Sequence, residues 1–220
     1  MLLYAQKKQL ATARESLKTG KELVKAEKSM QNLLEDSVNR TNTKIWVMLC
    51  DILMKQYEQG NEKLYLKQQY DTAAFFSVTK RMYETMAKFD SIDAHLNMPS
   101  PVLPKYRERH AQFLNSIRPN LFNGGTYFLH VKDYKTAYDY FDNYIKTDKQ
   151  SLFIGYDYEH KDDLMPHAAY WAMYCGYKLG DTEKTMRYLN LAERDSSMLN
   201  FVRQYEASAY LMQKDTTKYL

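Results

Sequence analysis

The chain has 220 residues, 31 of them basic and 27 acidic, for a net charge of +4, and 45 % of its side chains are hydrophobic. That length suits one domain or two small ones, no run approaches the roughly 18 apolar residues that cross a bilayer, and mixed charge without a basic face argues against a nucleic-acid partner. Seven Gly and five Pro against 20 Tyr and 12 Met, with abundant Leu, Lys, Glu, Gln and Ala, point to helices joined by short turns, and no stretch alternates as a strand does.

Met1-Leu-Leu-Tyr-Ala5-Gln6, followed by Lys7-Lys8, reads as the end of a secretory leader cut after Ala5, which implies export to the periplasm. The other reading is the apolar start of a first helix in a cytoplasmic protein. Gln6 to Asp36 then carries two helices broken near Thr19-Gly20, with Ala26, Met30 and Leu33 on the inner stripe of the second. Asn39 to Thr43 is a polar turn. A third helix shows Ile45, Trp46, Leu49, Ile52 and Leu53 at spacings of three and four, and a fourth begins between Asn61 and Tyr70 and runs to Phe89.

Residues 6–96 thus form an N-terminal set of degenerate helical repeats. Pro99, Pro101 and Pro104 make 97–104 a proline-rich break, because proline cannot sit in a helix interior. It serves either as a joint or as a loop over a groove. Residues 105–220 form the second set. Lys105 to Ile117 is helical by composition, and Arg118-Pro119 is a kink or a new helix with proline in its first turn.

Leu121-x2-Gly124-Gly125-x2-Phe128 follows, with Ala137-x3-Phe141 nine positions further on. Small residues at Gly125 and Ala137 let two helices approach closely while Phe128 and Phe141 fill the flanks. Gln150 to Met165 is an insertion. Pro166 opens the next helix, with Ala169, Ala172 and Gly176 as a small-residue stripe, answered by Thr185, Leu189 and Ala192. Phe201 to Met212 starts another unit, whose second helix is barely begun at Leu220; the natural protein is expected to continue.

Three phrases punctuate this second half: His130-Val-Lys-Asp133, Lys178-Leu-Gly-Asp181 and Met212-Gln-Lys-Asp215, the last two 34 residues apart. Two helices and a turn on a 34-residue period resemble the tetratricopeptide repeat. Trp46-x2-Leu49-Cys50-x2-Leu53 fits the opening of that unit, and Ala137-x3-Phe141 its second helix. Arg118-Pro-Asn-Leu-Phe-Asn123 and Ala169-Tyr-Trp-Ala-Met-Tyr-Cys175 are similar to exported repeat proteins of Bacteroidota.

The resemblance implies an all-α, right-handed α-solenoid of antiparallel helix pairs, interrupted near 97–104. It further implies no enzymatic activity or cofactor, and a protein or peptide partner in a concave groove. Carried over residue by residue, that groove is lined by His167, Tyr170, Tyr174, Tyr177 and Lys178, and in the preceding unit by Phe122, Thr126, Leu129 and His130; the Trp46 unit offers Lys44, Asp51 and Lys55. The Lys and Asn of chaperone-tail clamps are replaced here by Tyr170 and Tyr174, and by Phe122 and Thr126, so that ligand is not expected. Tyr170, Tyr174 and Tyr177 share one helical face. They are either an aromatic strip that grips a ligand or filler against the adjacent helix.

A second function class is a glycan-binding component of a cell-envelope uptake system, although no Cys precedes Cys50 to carry a lipid anchor. Chemistry is sparse. Cys50 and Cys175, 125 positions apart, read as inert buried thiols. Asp157, Glu159, His160, Asp162, Asp163 and His167 bear metal-binding atoms but lack a metal-site spacing, so the insertion reads as an acidic surface loop with no metal. No phosphate loop or nucleophile elbow is present.

Overall fold

Short side chains that accept backbone hydrogen bonds set the helix starts. In a computed structural model, which describes residues 2–96 and 104–213, Asn42 accepts from Lys44 N (3.1 Å), Asp71 from Ala74 N (3.1 Å), Asp133 from Thr136 N (3.1 Å) and Asp181 from Lys184 N (2.9 Å). Each satisfies a donor that the helix itself cannot. The described residues form helices and turns without a strand, and no helix among them is long and apolar enough to cross a membrane. The chain divides between Asn115 and Ser116 into two compact units.

The N-terminal unit contains α1 (Leu2–Thr19), α2 (Leu23–Glu35), α3 (Thr43–Tyr65), α4 (Thr72–Leu96) and most of α5 (Arg107–Ile117). Successive helices from α1 to α4 pack on one another, and α1 also meets α3. The α3 stripe foreseen from sequence is buried throughout, as are Phe75, Phe76, Met82, Tyr83, Met86 and Phe89 of α4. On α2 the inward residue after Met30 is Leu34 rather than Leu33.

The fourth helix starts at Thr72, later than its spacing predicts, because α3 continues through Gly60 and Asn61 to Tyr65. Gly60 is a contact point: a Cβ there would stand 2.9 Å from the Tyr70 ring. α5 is held by Arg107, whose guanidinium makes two 2.8 Å bonds to buried Asp90, and by Tyr83 Oη donating to Leu114 O. Buried Glu27 links three helices, accepting from Gln56 Nε2 (2.7 Å) on α3 and Arg81 Nε (2.7 Å) on α4. Of the proline-rich break only Pro104 lies within the described residues.

The C-terminal unit holds α6 (Pro119–His130), α7 (Tyr134–Lys146), α8 (Tyr158–Lys161), α9 (Leu164–Leu179), α10 (Thr182–Met186), α11 (Leu189–Ala192) and α12 (Leu199–Met212). Pro119 stands in the first turn of α6, so Arg118-Pro119 marks a new helix. Packing runs from α6 to α7, from α7 to α9, and from α9 to α10, α11 and α12. Gly125 is the tight point of the first contact, where an added Cβ would lie 2.6 Å from the Phe141 ring. Gly176 is that of the contact between α9 and α10, where it would lie 2.5 Å from Thr185 N. Ala137, Phe141, Ala169, Ala172 and Ala192 are fully buried around them, and Phe128 stacks on Tyr140 at 5.3 Å.

One helix ending recurs. α6 closes with Lys132 N donating to Leu129 O and Asp133 N to Phe128 O, with Lys132 at φ 62°; α9 closes with Gly180 N to Tyr177 O and Asp181 N to Gly176 O, with Gly180 at φ 65°. The similarity of His130-Val-Lys-Asp133 to Lys178-Leu-Gly-Asp181 is therefore one hydrogen-bonded device, a left-handed residue followed by an aspartate cap. α3 ends the same way at Lys67 (φ 54°), through Lys67 N to Leu64 O and Gln68 N to Lys63 O. The third phrase of the sequence lies from residue 214 onward outside the described residues.

The insertion between α7 and α9 is short helical turns at Thr147–Lys149, Ser151–Phe153 and α8. Its acidic character reaches solvent at Asp157 and Asp163, but Leu152, Phe153 and Tyr158 are core residues. Arg118 ties it down. Its guanidinium lies 3.7 Å from the Tyr144 ring centre and 3.8 Å from that of Tyr158, bonds Thr147 Oγ1 at 3.0 Å and pairs with Asp162. A planar cation between two rings loses water on both faces yet keeps its edge donors satisfied.

Candidate functional site

Helix α9 carries the expected strip, and the structure separates its members by depth. Tyr170 is 5 % exposed, whereas Tyr174 and Tyr177 are half-buried and Lys178 is exposed. All three rings meet Tyr205 of α12, at centroid distances of 6.2 Å, 5.7 Å and 4.9 Å, the last a stacked pair. Tyr205 is half-buried, and Phe201, one helical turn earlier, is 48 % exposed and lies 6.4 Å from the Tyr170 ring. Tyr170 is interhelical filler, while Tyr174, Tyr177 and Tyr205 stay partly exposed.

The strip extends along α9 toward α6. His167 lies 6.1 Å from Tyr170 and stacks on Phe122 at 6.0 Å, and Phe122 in turn packs against Phe141 at 5.5 Å. His167 Nδ1 is 2.9 Å from Asp195 Oδ2, and Ser197 Oγ donates to the other oxygen at 2.6 Å. Burial raises the Asp195 carboxyl, but the bonds from Ser197 and His167 outweigh it and hold the group below its ordinary value. On the other side Tyr134, at the start of α7, meets Tyr174 edge-on at 6.0 Å.

Lys178 stands as a cation beside the tyrosine rings. Lys178 Nζ sits 5.3 Å from the Tyr174 ring centre and 5.8 Å from that of Tyr177, within reach of the quadrupole of each. Burial raises the Tyr174 phenol, which Lys178 partly offsets. Burial also raises the Tyr205 phenol, with a further push from the hydrogen bond with Tyr170. The Tyr174 and Tyr205 hydroxyls therefore stay protonated across the neutral range and offer both donors and acceptors.

Two expected groove members stand apart. Thr126 Oγ1 is turned back onto Phe122 O at 3.2 Å, and exposed His130 has no ring contact with the strip among the described residues. In the N-terminal unit Asp51 pairs with Arg109 at 3.2 Å and Lys55 with Glu58 at 3.5 Å. Residues missed from the sequence are Tyr134, Tyr205 and Trp171, whose ring lies 4.8 Å from that of Tyr170 and 5.7 Å from that of Tyr174. Tyr205 had a readable signal, since Phe201 and Tyr205 are four apart and share a helix face; the other two did not.

Four of the candidate ligand residues of the insertion, Asp157, Glu159, His160 and Asp162, are engaged with other partners. Asp162 engages Arg118 and Tyr144, Asp157 accepts from His160 at 2.6 Å and Glu159 from Lys149 at 2.6 Å. Among the described residues no three His, Cys, Asp or Glu side chains converge. Chemically, the strip is built to stack, to donate and accept at hydroxyls, and to present one ammonium. No protein-family model, no curated protein and no solved structure matches this chain.

Proposed function

We propose that the protein is a non-enzymatic scaffold of the tetratricopeptide type, a right-handed solenoid of antiparallel helix pairs that binds a protein or peptide segment on its aromatic strip. The observation that carries this reading is the partly exposed set of Tyr174, Tyr177 and Tyr205 beside Lys178, presented by two neighbouring helices. Such rings give contact area at little entropic cost, and the hydroxyls fix orientation. The reading is supported by the repeated ending of α6 and α9 and by the two glycine contacts one unit apart. Repeats of that kind are stacked for surface.

The test is a peptide-display selection on the full chain, followed by calorimetry of the best binder against a Tyr174→Ala/Tyr177→Ala variant. Affinity is expected to drop at least about tenfold, or about 1.4 kcal/mol, with the unfolding temperature nearly unchanged because both rings are partly solvated. Retention of full affinity in that variant would remove the strip from the binding surface. Soluble glycans run in the same assay separate the two binding classes: saturable glycan binding lost with the same tyrosines would replace the peptide reading.

A further inference from the structure

A cavity lies elsewhere in the C-terminal unit, away from the tyrosine strip. The second helix of the α9 repeat is interrupted: α10 stops at Met186 and α11 begins at Leu189, with Arg187-Tyr188 between them. Tyr188 turns inward and donates to Asp142 Oδ1 at 2.6 Å. Between this interruption, the end of α7 and the insertion is a cavity of about 410 Å³, within the roughly 300–1,000 Å³ range of small-molecule sites. Its walls are apolar, formed by Ile145, Met165, Met186, Leu189 and Leu191. Ile145 and Met165 are buried residues, so the floor belongs to the core.

The rim is charged, and its charges do not balance. Four cations line the cavity, Lys146, Lys149, Arg187 and Arg194, against two carboxylates, Asp148 and Glu159. Those two carboxylates share one ammonium, Lys149, at 2.9 Å and 2.6 Å. Lys146 and Arg187 share a third carboxylate, Asp142, which lies outside the lining, at 2.5 Å and 3.7 Å. Arg194 donates to the backbone carbonyl of Glu159 at 2.9 Å and has no carboxylate partner among the described residues. Among the lining residues and Asp142, four positive charges stand against three negative ones, which leaves one positive charge at the mouth of an apolar pocket.

We infer that this cavity binds a small amphipathic monoanion, a free aliphatic carboxylate whose chain enters between Ile145, Met165 and Leu191 and whose headgroup meets Arg187 and Arg194. A guanidinium matches a carboxylate in a bidentate geometry, and one negative charge neutralises the rim. An uncharged chain would leave the rim unbalanced; an amine would add to the excess. Rim charges near solvent are screened, so affinity falls as salt rises.

The test uses octanoate, 1-octanol and octylamine as probes, titrated by calorimetry into the full chain at low salt. Octanoate is expected to bind saturably at one site, with octanol and octylamine at least about tenfold weaker. Arg187→Gln/Arg194→Gln should weaken octanoate by at least a similar factor. Met186→Trp, which fills the cavity and leaves the rim charges in place, should weaken it as well. Should the double variant unfold, Arg194→Gln alone serves, since its side chain is exposed. Absence of saturable octanoate binding, equal binding of the three probes, or undiminished binding in the charge and filling variants would each overturn the assignment.

Discussion

His110 shows how a polar residue becomes part of a core. Only 2 % of it is exposed, with its ring 6.0 Å from Tyr106 and 5.9 Å from Phe89. Burial lowers its pKa to about 4; neighbouring Arg109 lowers it too, while Asp90 and Asp93 pull upward. Asp90 is already engaged by Arg107, which blunts that pull. Between pH of about 6.5 and about 4 the unfolded chain therefore binds a proton that the folded chain refuses. Stability is full above the unfolded pKa and falls as the pH drops through this window, by roughly 3 kcal/mol from this residue. Urea unfolding of the protein and of His110→Gln at pH 7, 5.5 and 4.5 checks it. The difference between the two curves should narrow toward acid, and parallel curves would rule the contribution out. The composition of Lys105 to Ile117 marks a helix but not the burial of His110, since the aromatic partners Phe89 and Tyr106 lie on either side of the proline-rich break.

Gly176 within α9 and Gly180, which caps its C-terminus, do different work at the scale of the element. Gly176 sits where α9 crosses α10, and a methyl there meets the backbone at Thr185, which cannot swing aside as a side chain can. Gly180 has nothing within 4 Å but holds φ at 65°. Gly176→Ala is therefore expected to cost about 1–3 kcal/mol by overpacking. Gly180→Ala is expected to cost about 1 kcal/mol, because it forces Cβ into the left-handed region. Urea midpoints at unchanged slope measure both. A Gly176→Ala midpoint equal to that of the parent would mean that the helices separate freely. The small-residue stripe was legible because its spacing is helical. The break between α10 and α11 was not, since Thr185, Leu189 and Ala192 keep a helical spacing across it.

Across the whole molecule the two thiols report on the two units separately. Cys50 is buried in α3 of the N-terminal unit and Cys175 in α9 of the C-terminal unit; both are free. Burial raises both, Cys175 to about 12 and Cys50 beyond the usual thiol range. The thiolate is the reactive form, so neither should react with an aromatic disulfide reagent at pH 8 in the folded protein, and both should react at once in denaturant. Rapid labelling of either residue in native buffer would show that its helix opens locally.

Sequence by itself determined the helical class, the stripe of α3 and the glycine and alanine contacts. These follow from local periodicity and from residues whose backbone preferences are strong. It also singled out Tyr170, Tyr174 and Tyr177 as one face, and it left Arg118-Pro119 as a kink or a new helix until the structure placed Pro119 in the first turn of α6. Only the tertiary structure decided that Tyr170 is filler while its neighbours reach solvent, that Arg118 is caged between Tyr144 and Tyr158, and that Glu27 joins three helices. Those outcomes depend on partners as far as 54 residues away in the chain, and a side chain's depth is set by what packs over it, which periodicity does not encode.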